Sequence, residues 1–265
     1  EFHIENKTDV IISVGTTGES ATLDFDEHSE VIKSTLAIVN KRIPVVAGSG
    51  ANSTSEALQL TQRSKELGAD ACLLVTPYYN KPTQKGLYAH YKKIADEVSI
   101  PQILYNVPGR TSVDMLPDTV YDLSSHPNIV GIKEASGDLE RSKEILEKCS
   151  DNLSIFTGDD KTSARDISLG FSGNISVTAN IVPLDMHNMC KLASEGNSDD
   201  AQKINTKIDT LHDNLFIESN PIPVKWALNK MGLIKKGIRL PLVWMDEKYE
   251  SELEKSLIDA GVKIK

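Results

Sequence analysis

Short, almost uninterrupted apolar runs recur along the chain: Val10 to Val14, Ile43 to Ala47, Ala71 to Thr76, Gln102 to Val107, Ile129 to Glu134, Ser154 to Thr157 and Asn174 to Ala179. Runs of this length without polar alternation predict parallel strands covered on both faces, so helices are expected between them. The intervening segments carry that signal. From Ser55 to Ser64 apolar residues sit among polar ones at helical intervals, and Leu67-Gly68 marks the stop. The strand-to-strand repeat, roughly 20 to 33 residues, is the size of a βαβ unit. After Ala179 helical spacing takes over, across Ser198 to Phe216, Pro221 to Met231 and Glu247 to Ala260.

This succession predicts an α/β fold, a (β/α)8 TIM barrel over residues 1–196, with a helical region appended over 197–265. No flexible linker divides the two, so the appended helices are expected to pack on the barrel. Seven strands are one short of a closed barrel. The chain opens at Glu1-Phe2-His3-Ile4 with no initiator Met, in a stretch read as helical, so the first strand is expected to be missing. An open doubly wound sheet is the rival architecture, and it requires a reversal of strand order.

Composition narrows the partners. With 38 acidic against 29 basic residues and a net charge of -9, the chain offers no electrostatic reason to bind nucleic acid or an anionic membrane. Small molecules and copies of itself are the expected partners. Cys72, Cys149 and Cys190 are odd in number and form no CxxC pair, so a reducing, cytoplasmic setting fits. No apolar run approaches the roughly 20 residues a bilayer span needs, and the first residues carry no charged-then-apolar pattern, so a soluble chain is expected. Sequons at Asn6, Asn52, Asn152 and Asn174 carry meaning only in a secreted chain.

In a barrel, chemistry collects where strands run into loops. The first visible strand ends in Gly15-Thr16-Thr17-Gly18-Glu19-Ser20, hydroxyls and free backbone N–H groups at a helix start. That suits a carboxylate cradle, and it also suits a plain glycine turn with a helix cap. Lys133 lies within Val130-Gly131-Ile132-Lys133-Glu134, where an unpaired ammonium is expensive to bury, and period two puts Gly131 on its face. Burial disfavours the charged form of an amine, and a neutral amine attacks carbonyl carbon to give a Schiff base. The plainer readings are a lysine snorkelling to solvent or paired with Glu134.

Tyr105 closes another strand, where a phenol can shuttle protons or simply fill the core with its hydroxyl satisfied. Arg110 on the next loop has the planar fork that captures a carboxylate, unless it is merely solvated. Tyr78 and Tyr79 follow a strand end, as contacts for a ligand or neighbouring subunit or as packing under the loop. No HxH or HExxH spacing exists and Asp159-Asp160 alone is a poor metal site, so no metal is expected. Neither a G-x-S-x-G elbow nor a dinucleotide fingerprint follows the first strand, which argues against a hydrolase triad and a nicotinamide enzyme. Gly48-Ser49-Gly50 lacks the Lys-Ser/Thr of a phosphate loop.

The strings GTTGES (15–20), PYYNKPTQ (77–84), LYNVPGRT (104–111), GIKEASGD (131–138) and NPIPVKWAL (220–228) together resemble the dihydrodipicolinate synthase family, within the N-acetylneuraminate lyase superfamily of pyruvate-dependent barrels. The match runs in order over essentially the whole chain, and family members carry a first barrel strand ahead of the helix at which this chain begins. The resemblance implies condensation of pyruvate with L-aspartate 4-semialdehyde, without external cofactor. Lys133 would form the Schiff base, Tyr105 would relay protons, and Thr17 would link Tyr105 to Tyr79, the latter reaching into the neighbouring subunit's site. Thr16 and Thr17 would hold the pyruvate carboxylate, Arg110 the carboxylate of the aldehyde, and the backbone at Gly158 and Ile175 would complete the pocket. A homotetramer, as a dimer of dimers, is also implied, as is a lysine feedback site carried by Ser20, Ala21, His28, Asn52, Glu56 and Tyr78. One position departs: Phe25 stands where feedback-sensitive relatives can carry histidine.

Two other readings stay open. One is another pyruvate aldolase of the superfamily, acting on sialic acid or keto-deoxy sugars; those relatives generally lack an arginine in the place of Arg110. The other is a non-catalytic barrel that binds lysine or pyruvate, and against it stands the retention of a complete proton relay.

Overall fold

Local chemistry sets several helix ends in the computed structural model, which describes residues 1–265. Helix α1 is Phe2–Glu5 and α2 is Phe25–Val39. The α2 start is a capping box: the Asp24 carboxylate accepts from the Glu27 N–H at 2.8 Å while the Glu27 carboxylate accepts from the Asp24 N–H. Helix α3 spans Thr54–Leu67 and stops at Gly68, whose φ of 92° is left-handed, as Leu67-Gly68 predicts. Helices α4 (Gln84–Glu97), α5 (Pro108–Thr111), α6 (Pro117–Ser124), α7 (Leu139–Cys149), α8 (Ser163–Leu169) and α9 (Pro183–Ser194) follow. The tail supplies α10 (Ser198–Asn214), α11 (Ile222–Lys230) and α12 (Glu250–Asp259). None is long and apolar enough to cross a membrane.

Seven strands alternate with these helices: β1 Ile11–Ser13, β2 Val45–Gly48, β3 Ala71–Val75, β4 Gln102–Asn106, β5 Ile129–Glu134, β6 Ser154–Thr157 and β7 Gly173–Asn174. All pair in parallel and in sequence order, β1 through β7, so the order reversal of the doubly wound rival does not occur. The sheet curls: residues of both β1 and β7 border the same interior cavity, although no ladder joins the two. Side chains alternate across it. Leu74, Leu104, Ile132 and Ile155 point outward into the main core beneath the helices, whereas Val46, Leu73, Ile103 and Tyr105 form a small interior cluster. The main core also takes in Leu211, Trp226, Leu253 and Leu257, so the tail helices pack on the helices of the sheet.

Two departures from the sequence pattern matter. The seventh strand ends at Asn174 instead of Ala179, because the buried Asp160 carboxylate accepts the N–H groups of Val177 and Thr178, both at 2.9 Å. With those donors taken, Thr178–Asn180 turns into a 3-10 helix. The second is a register shift between β4 and β5: Gln102 pairs with Ile129, but Ile103 pairs with Gly131, which leaves Val130 as an extra residue.

His90 on α4 is 5% exposed; its Nδ1 meets Thr54 Oγ1 at 2.9 Å and its Nε2 has no partner. Burial pushes its pKa down to about 4. The unfolded chain therefore binds more protons than the folded one below the ordinary histidine value, and stability should be lost as pH falls. We expect a decrease on the order of 2 kcal/mol between pH 6.5 and pH 4. His90→Gln should flatten that slope in urea titrations; an unchanged slope would assign it to other groups.

Candidate functional site

Lys133 sits on β5 with 9% of its surface exposed. The register places Val75, Tyr105, Lys133 and Phe156 side by side on the inner face of β3, β4, β5 and β6. The Lys133 ammonium lies 4.3 Å from the centroid of the Tyr105 ring. Room for its stem comes from Gly158: a Cβ there would stand 2.4 Å from Lys133 Cε and 3.1 Å from Cγ. The two plainer readings of Lys133 fail on geometry. Glu134 faces the other way, accepting from Asn106 Nδ2 at 3.0 Å and from the Ser136 N–H at 2.8 Å. Burial raises the Glu134 pKa, with those hydrogen bonds opposing it. Lys133 itself has no carboxylate partner and too little exposure to snorkel.

An interior cavity of ≈ 1330 Å³ opens above this layer, and Lys133, Tyr105, Thr16, Thr17, Arg110, Gly158 and Ile175 all border it. Tyr105 is 7% exposed and its hydroxyl makes no hydrogen bond within the chain. After β1 the main chain turns sharply, with Gly18 N–H donating to Gly15 O at 3.0 Å and Glu19 N–H to Thr16 O at 3.1 Å. This leaves the N–H groups of Thr16 and Thr17 without main-chain partners on the cavity wall. Close approach of strands sets the turn: a Cβ at Gly48 would lie 2.1 Å from the Val14 carbonyl oxygen. Arg110, on α5, is exposed and makes no ion pair. Gly158 N–H donates to Glu134 O at 2.7 Å and Ile175 N–H to Thr157 O at 2.9 Å, which fixes the backbone on that side.

Such a constellation can hold a small carboxylate beside an amine and a phenol. The sequence profile of the dihydrodipicolinate synthetase family matches residues 1–260. The chain belongs to that family. The 4-hydroxy-tetrahydrodipicolinate synthase of Thioalkalivibrio sulfidiphilus is 57% identical over 262 residues, 99% of this chain and 89% of that one. Among solved structures, the chloride-inhibited dihydrodipicolinate synthase of Acinetobacter baumannii complexed with pyruvate superposes with a TM-score of 0.98 at 55% identity, covering 99% of this chain and 90% of that one. The enzyme of Cyanidioschyzon merolae with lysine bound gives a TM-score of 0.95 at 39% identity, covering 99% and 89%.

Within this family member, two expected contacts are absent from the single chain. Tyr79 is 89% exposed, with a left-handed φ of 72°, and lies outside the cavity wall. The Thr17 hydroxyl meets neither tyrosine; it is bonded to Asn220, with Asn220 Nδ2 at 3.0 Å. Asn220 and Lys225, which pairs with Glu19, were not singled out from the sequence, and the only signal for them was their place in the NPIPVK string. Of the six residues expected at a lysine site, three lie together. His28 Nε2 donates to Gly48 O at 2.7 Å, and burial holds its pKa below the usual histidine value. Burial and the Glu56 carboxylate both raise the Tyr78 pKa, so His28, Glu56 and Tyr78 share one neighbourhood. Ser20 and Ala21 form the 3-10 turn Ser20–Thr22, and Asn52 O accepts from Asn80 Nδ2 at 2.8 Å. None of these six borders the large cavity.

Proposed function

We propose that this chain is a 4-hydroxy-tetrahydrodipicolinate synthase, condensing pyruvate with L-aspartate 4-semialdehyde on the diaminopimelate route to lysine, through a Schiff base on Lys133. The observation that carries the reading is an ammonium without a carboxylate partner, sunk in the interior against the Tyr105 ring, with Gly158 keeping its stem free. Attack of Lys133 Nζ on the pyruvate keto carbon expels water and forms the imine. Loss of a methyl proton gives the enamine, whose carbon attacks the aldehyde of the semialdehyde. The semialdehyde's amine then displaces Lys133 and closes the ring. Tyr105 relays the protons, Thr16 and Thr17 hold the pyruvate carboxylate, and the Gly158 and Ile175 backbone completes the pocket. Arg110 takes the aldehyde's carboxylate, which favours this acceptor over the polyhydroxylated chain of a sugar aldolase.

The same reading extends to assembly and regulation. A (β/α)8 barrel over residues 1–196, with a helical region over 197–265, is supported by two sheet edges bordering one cavity. The exposure of Tyr79 supports its working in the neighbouring subunit's site, within a cytoplasmic homotetramer built as a dimer of dimers. The cluster of Ser20, Ala21, His28, Asn52, Glu56 and Tyr78 serves as a lysine feedback site; Glu56 pairs with the ligand's ammonium. Glu56→Gln is expected to raise the lysine concentration for half-inhibition by about tenfold, read from initial rates against lysine; an unmoved inhibition curve would remove Glu56 from the site.

The primary test is incubation with pyruvate and borohydride, followed by intact mass and peptide mapping. The chain should gain the mass of pyruvate less one oxygen atom, on Lys133. Absence of the adduct would leave a non-catalytic ligand-binding barrel as the better reading.

A further inference from the structure

A hydroxyl carries one proton and two lone pairs, so a relay through it has a direction that its neighbours must set. Thr17 Oγ1 has one partner within the chain, Asn220, which lies 203 residues away at the foot of α11 and is 5% exposed. Asn220 Nδ2 stands 3.0 Å from Thr17 Oγ1, and Oδ1 at 3.4 Å. The shorter contact is the amide's donation to Thr17, whereas the hydroxyl's own donation to Oδ1 is long and weak, so a better acceptor in the cavity can take the proton from it. An oxygen that accepts from an amide keeps its own proton free for another acceptor, and the unpartnered Tyr105 phenol borders the same cavity. The grip is doubled: Lys225, on the same segment, pairs with Glu19 at the far end of the 15–20 turn, with both side chains largely buried.

We propose that Asn220 is a positioning residue whose amide donates to Thr17 Oγ1 and thereby aims the Thr17 proton into the cavity, toward the Tyr105 phenol. This rests on the reading above in which Thr17 and Tyr105 relay protons. Asn220 itself need not touch substrate. Its shape could be kept by a carboxylate, but a carboxylate only accepts, so it would turn the Thr17 proton away from the cavity.

Asn220→Asp is therefore the decisive variant. It should still trap pyruvate on Lys133, with KM for pyruvate changed by no more than about threefold, while kcat falls on the order of 100-fold at alkaline pH. The deficit relative to the native chain should shrink as pH falls, because the protonated acid donates to Thr17 again. Asn220→Ala should trap pyruvate and lose kcat with no such recovery. If Asn220→Asp fails to fold, by circular dichroism and loss of the adduct, the alanine variant decides alone, since unchanged kcat there overturns the proposal. A deficit that is flat with pH in Asn220→Asp, or that tracks loss of the adduct, would assign Asn220 a structural role and overturn it too. No adduct on the native chain would sink the underlying reading instead of the role of Asn220.

Discussion

Replacing Lys133 by methionine is expected to abolish covalent capture of pyruvate, cut turnover by on the order of 10⁴-fold or more, and leave the fold at least as stable. Methionine keeps an unbranched stem beside Gly158, so the packing survives while the ammonium goes. Two opposing energies decide the stability. The contact with the Tyr105 ring is worth up to about 2 kcal/mol when desolvated. Holding an unpaired ammonium in the interior costs several kcal/mol. The cost is the larger, and it is tolerated where an amine has work to do. Borohydride trapping reads the first effect and the urea midpoint the second. Turnover that persists in the variant would place the nucleophile elsewhere, and a clear loss of stability would show the ring contact to be the dominant energy.

Gly158→Ala should also be damaging although it adds one methyl group. The new Cβ would fall 2.4 Å from Lys133 Cε and 2.7 Å from Ala135 Cβ. The lysine stem can swing aside, but Ala135 Cβ is fixed on the main chain, so that second contact is relieved only by a shift of the backbone. A displacement of about 1 Å at a reacting atom costs on the order of 100-fold in rate. Imine formation, followed by trapping at short times, should slow by that factor, and the urea midpoint should fall as the backbone gives way at Ala135. If the variant traps pyruvate at the native rate, the stem has freedom that the packing does not suggest. Combining Gly158→Ala with Lys133→Ala should remove the contact with the stem and leave only that with Ala135, so the pair should be less destabilised than the sum of the two single changes.

How much of this was legible in the sequence follows from the range of the forces involved. The strands and their two-sided cover were readable because a buried parallel strand needs a continuous apolar run, and β5 and β6 appear with the bounds the pattern predicts. Lys133 stood out because a charge in such a run has a cost that is visible locally. The short seventh strand was not readable, since its end depends on Asp160 claiming two N–H groups 17 and 18 residues away. Asn220 and Lys225 were missed for the same reason: each takes its meaning from a partner more than 200 residues distant. The likeness of strings to a known family carried the roles of Thr16, Arg110, Tyr79 and the lysine cluster, where the residues alone left even choices. Tyr79 lies outside the cavity of its own chain, so nothing within the single chain bears on its expected role.

The extra residue at Val130 has a consequence for how such a protein can change. Were the ladder unbroken after Gln102 and Ile129, Ile103 would pair with Val130 and Tyr105 with Ile132, and the amine would emerge among the helices, dry and beyond the reach of any substrate. Which side of the sheet the amine stands on is thus settled by the parity of a count. A lineage carrying this gene can trade side chains around the amine one by one, but losing or gaining one residue along β5 turns the enzyme inside out in a single step.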